Sequence, residues 1–242
     1  MKKTFALTSL IISALIIMLV VVSCKKKKEE EPEPKPTVVW SPNPVNGELP
    51  TSVLPEVLAD TLAHYFKIYD GENPAKVVGQ FVSEPHVLQF STSPDDVIGS
   101  EFAPRYICFV RNGDRVDFYG KQWDEEMGKY YEEAYRKLNV VGTGENFTCY
   151  YITEGYPNGM YAKQSTIFSG KWNESLGGMG DFQVAVLLLE TSGNPNLEPV
   201  NTIRVLGDAD SLARDTTWMG KSVDFNEINI SKEDAFRMFR KK

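Results

Sequence analysis

The chain has 242 residues, 42% of them hydrophobic and 12% aromatic, which is enough apolar material for a sizeable core. Beyond residue 36 it carries 19 Lys and Arg against 29 Asp and Glu. That net charge near −10 repels nucleic acid and anionic lipid alike, so no nucleic-acid function is expected.

At the N-terminus, Lys2 and Lys3 precede an apolar run over 5–22 that closes in Val21-Val22-Ser23-Cys24. A basic head, an apolar middle and a small residue before the cut are what signal-peptide processing requires. The last four residues resemble the lipobox of bacterial lipoproteins, which implies a signal peptide over 1–23 and lipid attachment at Cys24. A retained helix of about 18 apolar residues is just long enough to span a bilayer. It would put Lys25, Lys26, Lys27 and Lys28 on the far side, against the positive-inside tendency. Several acyl chains, as the resemblance implies, hold a protein where one holds it only marginally. The membrane partner is therefore expected through the acyl anchor at Cys24, with localisation at the outer membrane.

Residues 25–36 read KKKKEEEPEPKP and offer nothing apolar to bury. The stretch 24–44 is thus expected to be the acylated cysteine and a disordered tether, and 45–242 a single domain. The Lys-then-Glu cluster resembles the export signal of surface lipoproteins in Bacteroidota-type bacteria, which implies exposure at the cell surface.

Leu54, Val57, Leu58, Thr61, Leu62 and Tyr65 fall at helical spacing, with Ser52 or Thr51 as cap and Pro55 in the first turn. Short runs rich in Val, Ile, Phe and Tyr then recur between turn residues. Nine candidate strands follow, over 77–83, 87–92, 105–111, 116–121, 137–142, 146–153, 161–170, 181–190 and 202–206. Asn112-Gly113-Asp114 and Thr143-Gly144-Glu145 mark hairpins between them. Over 125–138 the spacing of Met127, Tyr130, Tyr131, Ala134, Tyr135 and Leu138 predicts a loop or short helix to about Glu133, with strand beyond. Ser231 and Asp234 suggest a capping box opening a helix over 232–240. The strand at 181–190 is apolar on both faces and needs cover on both. The terminal helix, through Phe236 and Phe239, is expected to supply the outer cover. The pattern is all-β: an antiparallel barrel of about eight to nine strands with a short N-terminal and a C-terminal helix.

The stretches Ile68-Tyr69-Asp70-Gly71-Glu72-Asn73-Pro74, Val78-Gly79-Gln80-Phe81, Gly142-Thr143-Gly144-Glu145-Asn146-Phe147-Thr148 and Ile167-Phe168-Ser169-Gly170 resemble an uncharacterised family of Bacteroidota-type lipoproteins. The resemblance covers about 54–218 and implies a lipocalin-like, calycin-type barrel behind a short helix. Its motifs are turn and strand signatures, and it implies no activity for any residue.

Chemistry-bearing patterns are sparse. His64 and His86 are the only histidines, and no G-x-S-x-G elbow is present, so neither a serine triad nor a His-rich zinc site is expected. Asp95-Asp96, Glu125-Glu126 and Glu132-Glu133 are paired acids, but neighbours in sequence point apart. Asp208, Asp210, Ser211 and Asp215 read as a solvated turn more readily than as calcium ligands. Leu176-Gly177-Gly178-Met179-Gly180 reads as a loop, and Trp123, Trp172 and Trp218 as loop staples or barrel-mouth platforms. Cys108 and Cys149 are expected as buried thiols, with a bridge left open. No catalytic residue, metal ligand or cofactor is assigned, and the binding residues stay unknown. The expected role is a lipid-anchored surface protein, not an enzyme, whose partly open interior accepts a small apolar ligand. The alternatives are a surface interaction protein working with a partner, or a carboxylate-dependent hydrolase.

Overall fold

The computed structural model describes residues 37–38, 42–112, 115–125, 128–218 and 236–240. Cys24, the signal segment and residues 24–36 of the tether lie outside them. Thirteen strands and one helix, α1 (Glu56–Ala63), make up the regular structure of the described residues.

Eight walls close a barrel of consecutive antiparallel neighbours. The first joins β3 (Gly79–Ser83) to β4 (His86–Ser91) through a cis Glu84–Pro85 peptide. The second joins β5 (Glu101–Phe102) to β6 (Arg105–Asn112). Then come β7 (Arg115–Asp124), β8 (Lys129–Thr143), β9 (Asn146–Gly155), β10 (Ala162–Asn173) and β11 (Gly178–Glu190). The last wall joins β12 (Ile203–Asp208) to β13 (Leu212–Asp215), and it closes the ring by pairing β4 and β3. The nine candidate strands map onto these eight walls, because 77–83 and 87–92 are two halves of one.

Strand β11 is buried on both faces, as its composition requires. Phe182, Val184, Val186 and Leu188 belong to the inner core, while Ala185 and Leu187 belong to an outer one. The outer cover is α1 with its flanks, through Val53, Leu54, Leu58, Leu62 and Phe66, and not the C-terminal segment. Helix α1 starts at Pro55 without a side-chain cap, so neither Thr51 nor Ser52 plays that part. Val57, in the helical stripe, is exposed because only one narrow face of so short a helix meets the sheet.

The C-terminal segment goes to the barrel mouth instead. Its described part is a single turn, Arg237–Phe239, and the expected helix start at 231–235 lies outside the described residues. Phe236 and Phe239 are fully buried in the inner core. Leu197 bridges Arg240, and the Glu198 N–H donates to the Phe239 carbonyl at 2.7 Å.

Strand β8 begins at Lys129, where a loop or helix was expected. Tyr131, Glu133 and Tyr135 alternate inward, and a bulge against β7 then makes Leu138 the next inward residue. Lys137, at φ +61°, sits in that bulge, and its N–H donates to Asp117 Oδ1 at 3.0 Å. One extra residue turns a period of two into the steps of four and three that imitate a helix.

The far end is sealed by the stretches 68–74 and 142–148. β2 (Glu72–Asn73) runs parallel to Gly142 and Thr143 of β8. Three glycine backbones stack there: the Gly71 N–H donates to Gly47 O at 2.8 Å, and the Gly142 N–H donates to Gly71 O at 2.9 Å. A Cβ on Gly71 would strike the Gly142–Thr143 backbone and side chain, and Gly71 has φ +130°. The Tyr69 N–H donates to Thr148 Oγ1 at 2.8 Å, which ties the 68–74 stretch to the 142–148 stretch. Gly71→Ala is expected to destabilise the domain by roughly 2–4 kcal/mol in urea unfolding, because both sterics and backbone dihedral oppose it. A loss under about 0.5 kcal/mol, the range of a neutral surface change, would show that the seam carries no load.

Candidate functional site

Among the described residues, polar chemistry gathers on the inner wall near the C-terminal turn, in the loop region beside it, and in an open cleft on the outside. On the inner wall, cross-strand register sets Ser83, Arg105, Gln122 and Tyr131 in one row. All four are buried. The Arg105 guanidinium pairs with Glu133. Glu133 Oε2 also accepts the hydroxyls of Tyr151 at 2.7 Å and Tyr131 at 3.4 Å. Burial, and then the Glu133 charge, push the Tyr151 hydroxyl well above the usual phenol range, so it stays a donor. Arg237, on the C-terminal turn, donates to Gln122 Oε1 at 2.6 Å and Asp124 Oδ2 at 3.2 Å. Its guanidinium lies 4.0 Å from the Tyr131 ring centroid.

A second ionic cluster pins the loops at the same end. Arg204 pairs with Asp96 and Glu198, and Ser93 Oγ donates to Glu198 at 3.0 Å. Arg204 also stands 5.6 Å from the Phe239 ring centroid. Between them the two clusters fasten the C-terminal turn to β7 and β12 and the long loops to one another. Buried pairs of this kind contribute little net stability when whole, but removing one partner costs about 3–5 kcal/mol. Their chemistry is positional.

Below this level the barrel is occupied by rings. Phe118 lies 4.8 Å from Phe168 and 5.5 Å from Phe109, and Tyr135 stacks on Tyr151 at 3.6 Å. Trp172 packs edge-on to Phe81 at 5.3 Å near the far end. An eight-stranded barrel is just wide enough to be filled this way or to hold one small ligand.

The open cleft lies outside the barrel, at the end of α1, and has a volume of about 310 Å³. Tyr65, Lys67, Gln89, Asp181 and Gln183 line it. Asp181, at φ +51°, interrupts the start of β11 and accepts Lys67 Nζ at 3.1 Å and Lys171 Nζ at 2.9 Å. The hydrogen bond from Lys171 leads the causes that hold its carboxyl below the usual range. Gln183 Nε2 donates to Tyr65 O and to Gln89 Oε1, while its Oε1 accepts the Lys67 N–H. The Tyr65 ring stacks on Phe90 at 3.7 Å. The wall is rigid and mixed in character, suited to a small polar ligand with one apolar face.

Most sequence candidates are brought to no common centre. Glu132 and Glu133 point apart, the first toward the Tyr119 hydroxyl and the second inward. Asp208 is buried and accepts the N–H groups of Glu84 and Asp210, Asp210 pairs with Arg214, and Asp215 is exposed on β13. Among the described residues no group of three or more His, Cys, Asp or Glu is placed to hold a metal. Leu176 ends a short turn, and β11 already begins at Gly178. Cys108 and Cys149 are free and buried, and burial pushes the Cys108 thiol up to about 11. His64 sits on the surface, its Nδ1 2.6 Å from Asp60 O. The Arg105–Glu133 and Arg204–Asp96 pairs went unforeseen, because their partners stand 28 and 108 residues apart in the chain; Glu198, only six residues from Arg204, reads in the sequence as a loop acid. Comparison with protein families, with curated proteins and with solved structures finds no match.

His86 supplies a pH test. It is fully buried, bonded through Nδ1 to Ser83 Oγ at 3.0 Å, and its Nε2 has no partner. Burial first, then the charges of Arg105 and Arg237, hold its imidazole well below the usual histidine range. The unfolded chain therefore binds the proton more tightly, so stability is lost as pH falls below about 6.5. The slope approaches about 1.4 kcal/mol per pH unit while His86 stays neutral in the fold. Urea unfolding between pH 7 and 5 should show this loss, and His86→Gln should flatten it. An unchanged slope in the variant would assign the loss to other groups.

Proposed function

We propose that this chain is a lipid-anchored surface protein that works through its outside, as a binding and interaction domain. The observation that carries the reading is the inner core. Phe81, Phe109, Phe118, Phe147, Phe168 and Phe182 occupy the space where an enclosed ligand would sit, each almost fully removed from solvent. The C-terminal turn fills one mouth with Phe236 and Phe239. That filling weighs against the enclosed apolar ligand and favours the interaction-protein reading.

The hydrolase reading loses ground for a related reason. Asp96, Asp124, Glu133 and Glu198, whose side chains are largely buried at this end of the barrel, each have an arginine as ion-pair partner. A glycosidase needs two carboxyls facing each other across a substrate-sized gap. The lipocalin-like family assignment and the anchor at Cys24 rest on the sequence motifs. They agree with a barrel whose chain enters from a polar tether.

Two measurements test the proposal together. Cys24→Ala should move the protein from the detergent phase to the aqueous phase on phase partitioning, as loss of all acyl chains requires. Retention in the detergent phase would make 5–22 a true membrane span. Native mass spectrometry of the protein extracted from its host should give the mass of the acylated chain with no further, non-covalent adduct. A lipid-sized adduct lost on Phe118→Trp, which fills the interior further, would restore the enclosed ligand.

A further inference from the structure

We propose that the barrel end nearest the tether rests on the membrane, with aromatic and aliphatic side chains of its four loops set into the lipid interface. This rests on the anchor at Cys24. The chain enters the barrel at that end: β1 (Thr37–Val38) pairs with Thr153 and Glu154, the last residues of β9 before its loop. Only twelve residues, 25–36, separate Cys24 from β1. Fully extended they span at most about 43 Å, so the anchor holds this end of the barrel within that distance of the bilayer.

The loops of that end are built for contact. Among the described residues, six of the twelve exposed large apolar side chains lie in or beside them. Val97 and Ile98 are in the β4–β5 loop, 70% and 54% exposed. Trp123 and Tyr130 face each other across the β7–β8 hairpin, 41% and 46% exposed. Tyr156 follows β9, and Val200 precedes β12. The far end of the barrel, by contrast, carries Val45, Val78 and Leu176. Apolar groups spread over every loop of one end form an extended patch, of the sort that marks an interaction site. Tryptophan and tyrosine are the residues that favour the headgroup level of a bilayer.

The patch is also held still. Trp123 and Tyr130 meet edge to face at 5.2 Å, and Lys121 Nζ lies 4.8 Å from the Tyr130 ring. Tyr156 packs on Tyr161 at 5.6 Å. Beneath them the Arg204 and Arg237 clusters fix the loops and the C-terminal turn. A rigid, preformed surface loses little freedom when it docks.

Charge selects the lipid. Asp95, Glu101, Glu125 and Glu190 are exposed at the same end, against Arg240, so acids predominate there. They oppose an anionic surface and leave a zwitterionic one as the fitting partner. A protein partner on the same loops is the competing outcome.

The test uses the full acylated chain in phosphatidylcholine vesicles with brominated acyl chains, which quench only a tryptophan in contact with lipid. In a Trp40→Phe background, tryptophan emission should be quenched, and Trp123→Phe should remove that quenching. Val97→Ser with Ile98→Ser, in an exposed loop that tolerates polar residues, should weaken it at an unchanged melting temperature. Replacing phosphatidylcholine by phosphatidylglycerol should reduce quenching at low salt, and added salt should restore it. Absence of quenching, or quenching that survives Trp123→Phe, would overturn the docking and leave these loops to a protein partner. Mass analysis of the N-terminal peptide runs alongside. An unacylated Cys24 would sink the anchor reading itself, a failure separate from an acylated chain that stands clear of the lipid.

Discussion

From Val184 to Leu188 strand β11 has no polar face, and that constraint orders the rest of the molecule. Its inner residues need a closed barrel, and its outer residues need a lid. The barrel meets the first demand through β10 on one side and the bent β12–β13 wall on the other. Helix α1 meets the second with Leu58 and Leu62 over Ala185 and Leu187. Because α1 takes the outer face, the C-terminal aromatics are free to enter the mouth, where Phe236 and Phe239 complete the inner core. A helix of eight residues would be marginal in isolation, and burial against β11 supplies what its own hydrogen bonds cannot.

What was legible in the sequence follows the range of the interactions involved. Alternation and turn residues located the nine strand segments, because those signals lie within ten residues of each other. The two faces of β11 were legible for the same reason. The start of β8 was not, since the bulge at Lys137 shifts the inward set by one and the inward Glu133 breaks the apolar pattern. Which segment covers β11 was also hidden: α1 and the C-terminal turn both present two or three apolar residues, and only the path of the chain decides between them. The buried arginines were invisible for a stronger reason. An isolated Arg in a strand reads as solvent-facing until its distant acid is known.

The same distinction explains the glycine turns. Asp70-Gly71 and Gly142-Thr143-Gly144 look like isolated turns in the sequence. In the fold they are two sides of one seam, where backbones of Gly47, Gly71 and Gly142 approach too closely for any side chain. Their residue types are demanded by sterics at the closed end of the barrel, and so they speak about architecture and say nothing of a reaction.

The two ends of the barrel thus differ in kind. The far end is closed by backbone against backbone, with glycines where a Cβ cannot fit. The end where the chain enters is closed by side chains: an aromatic turn held by Arg237, and loops held by Arg204. Backbone closure leaves nothing over for a partner. Side-chain closure needs long loops to reach across the mouth, and long loops have outer surfaces whose composition is free to serve something else. In this chain those surfaces carry Val97, Ile98, Trp123, Tyr130, Tyr156 and Val200, which the inner closure does not require. The buried charges and the exposed rings are therefore two sides of one device. The arginine clusters make a stiff platform out of loops, and a stiff platform is what lets a few exposed side chains act as a surface.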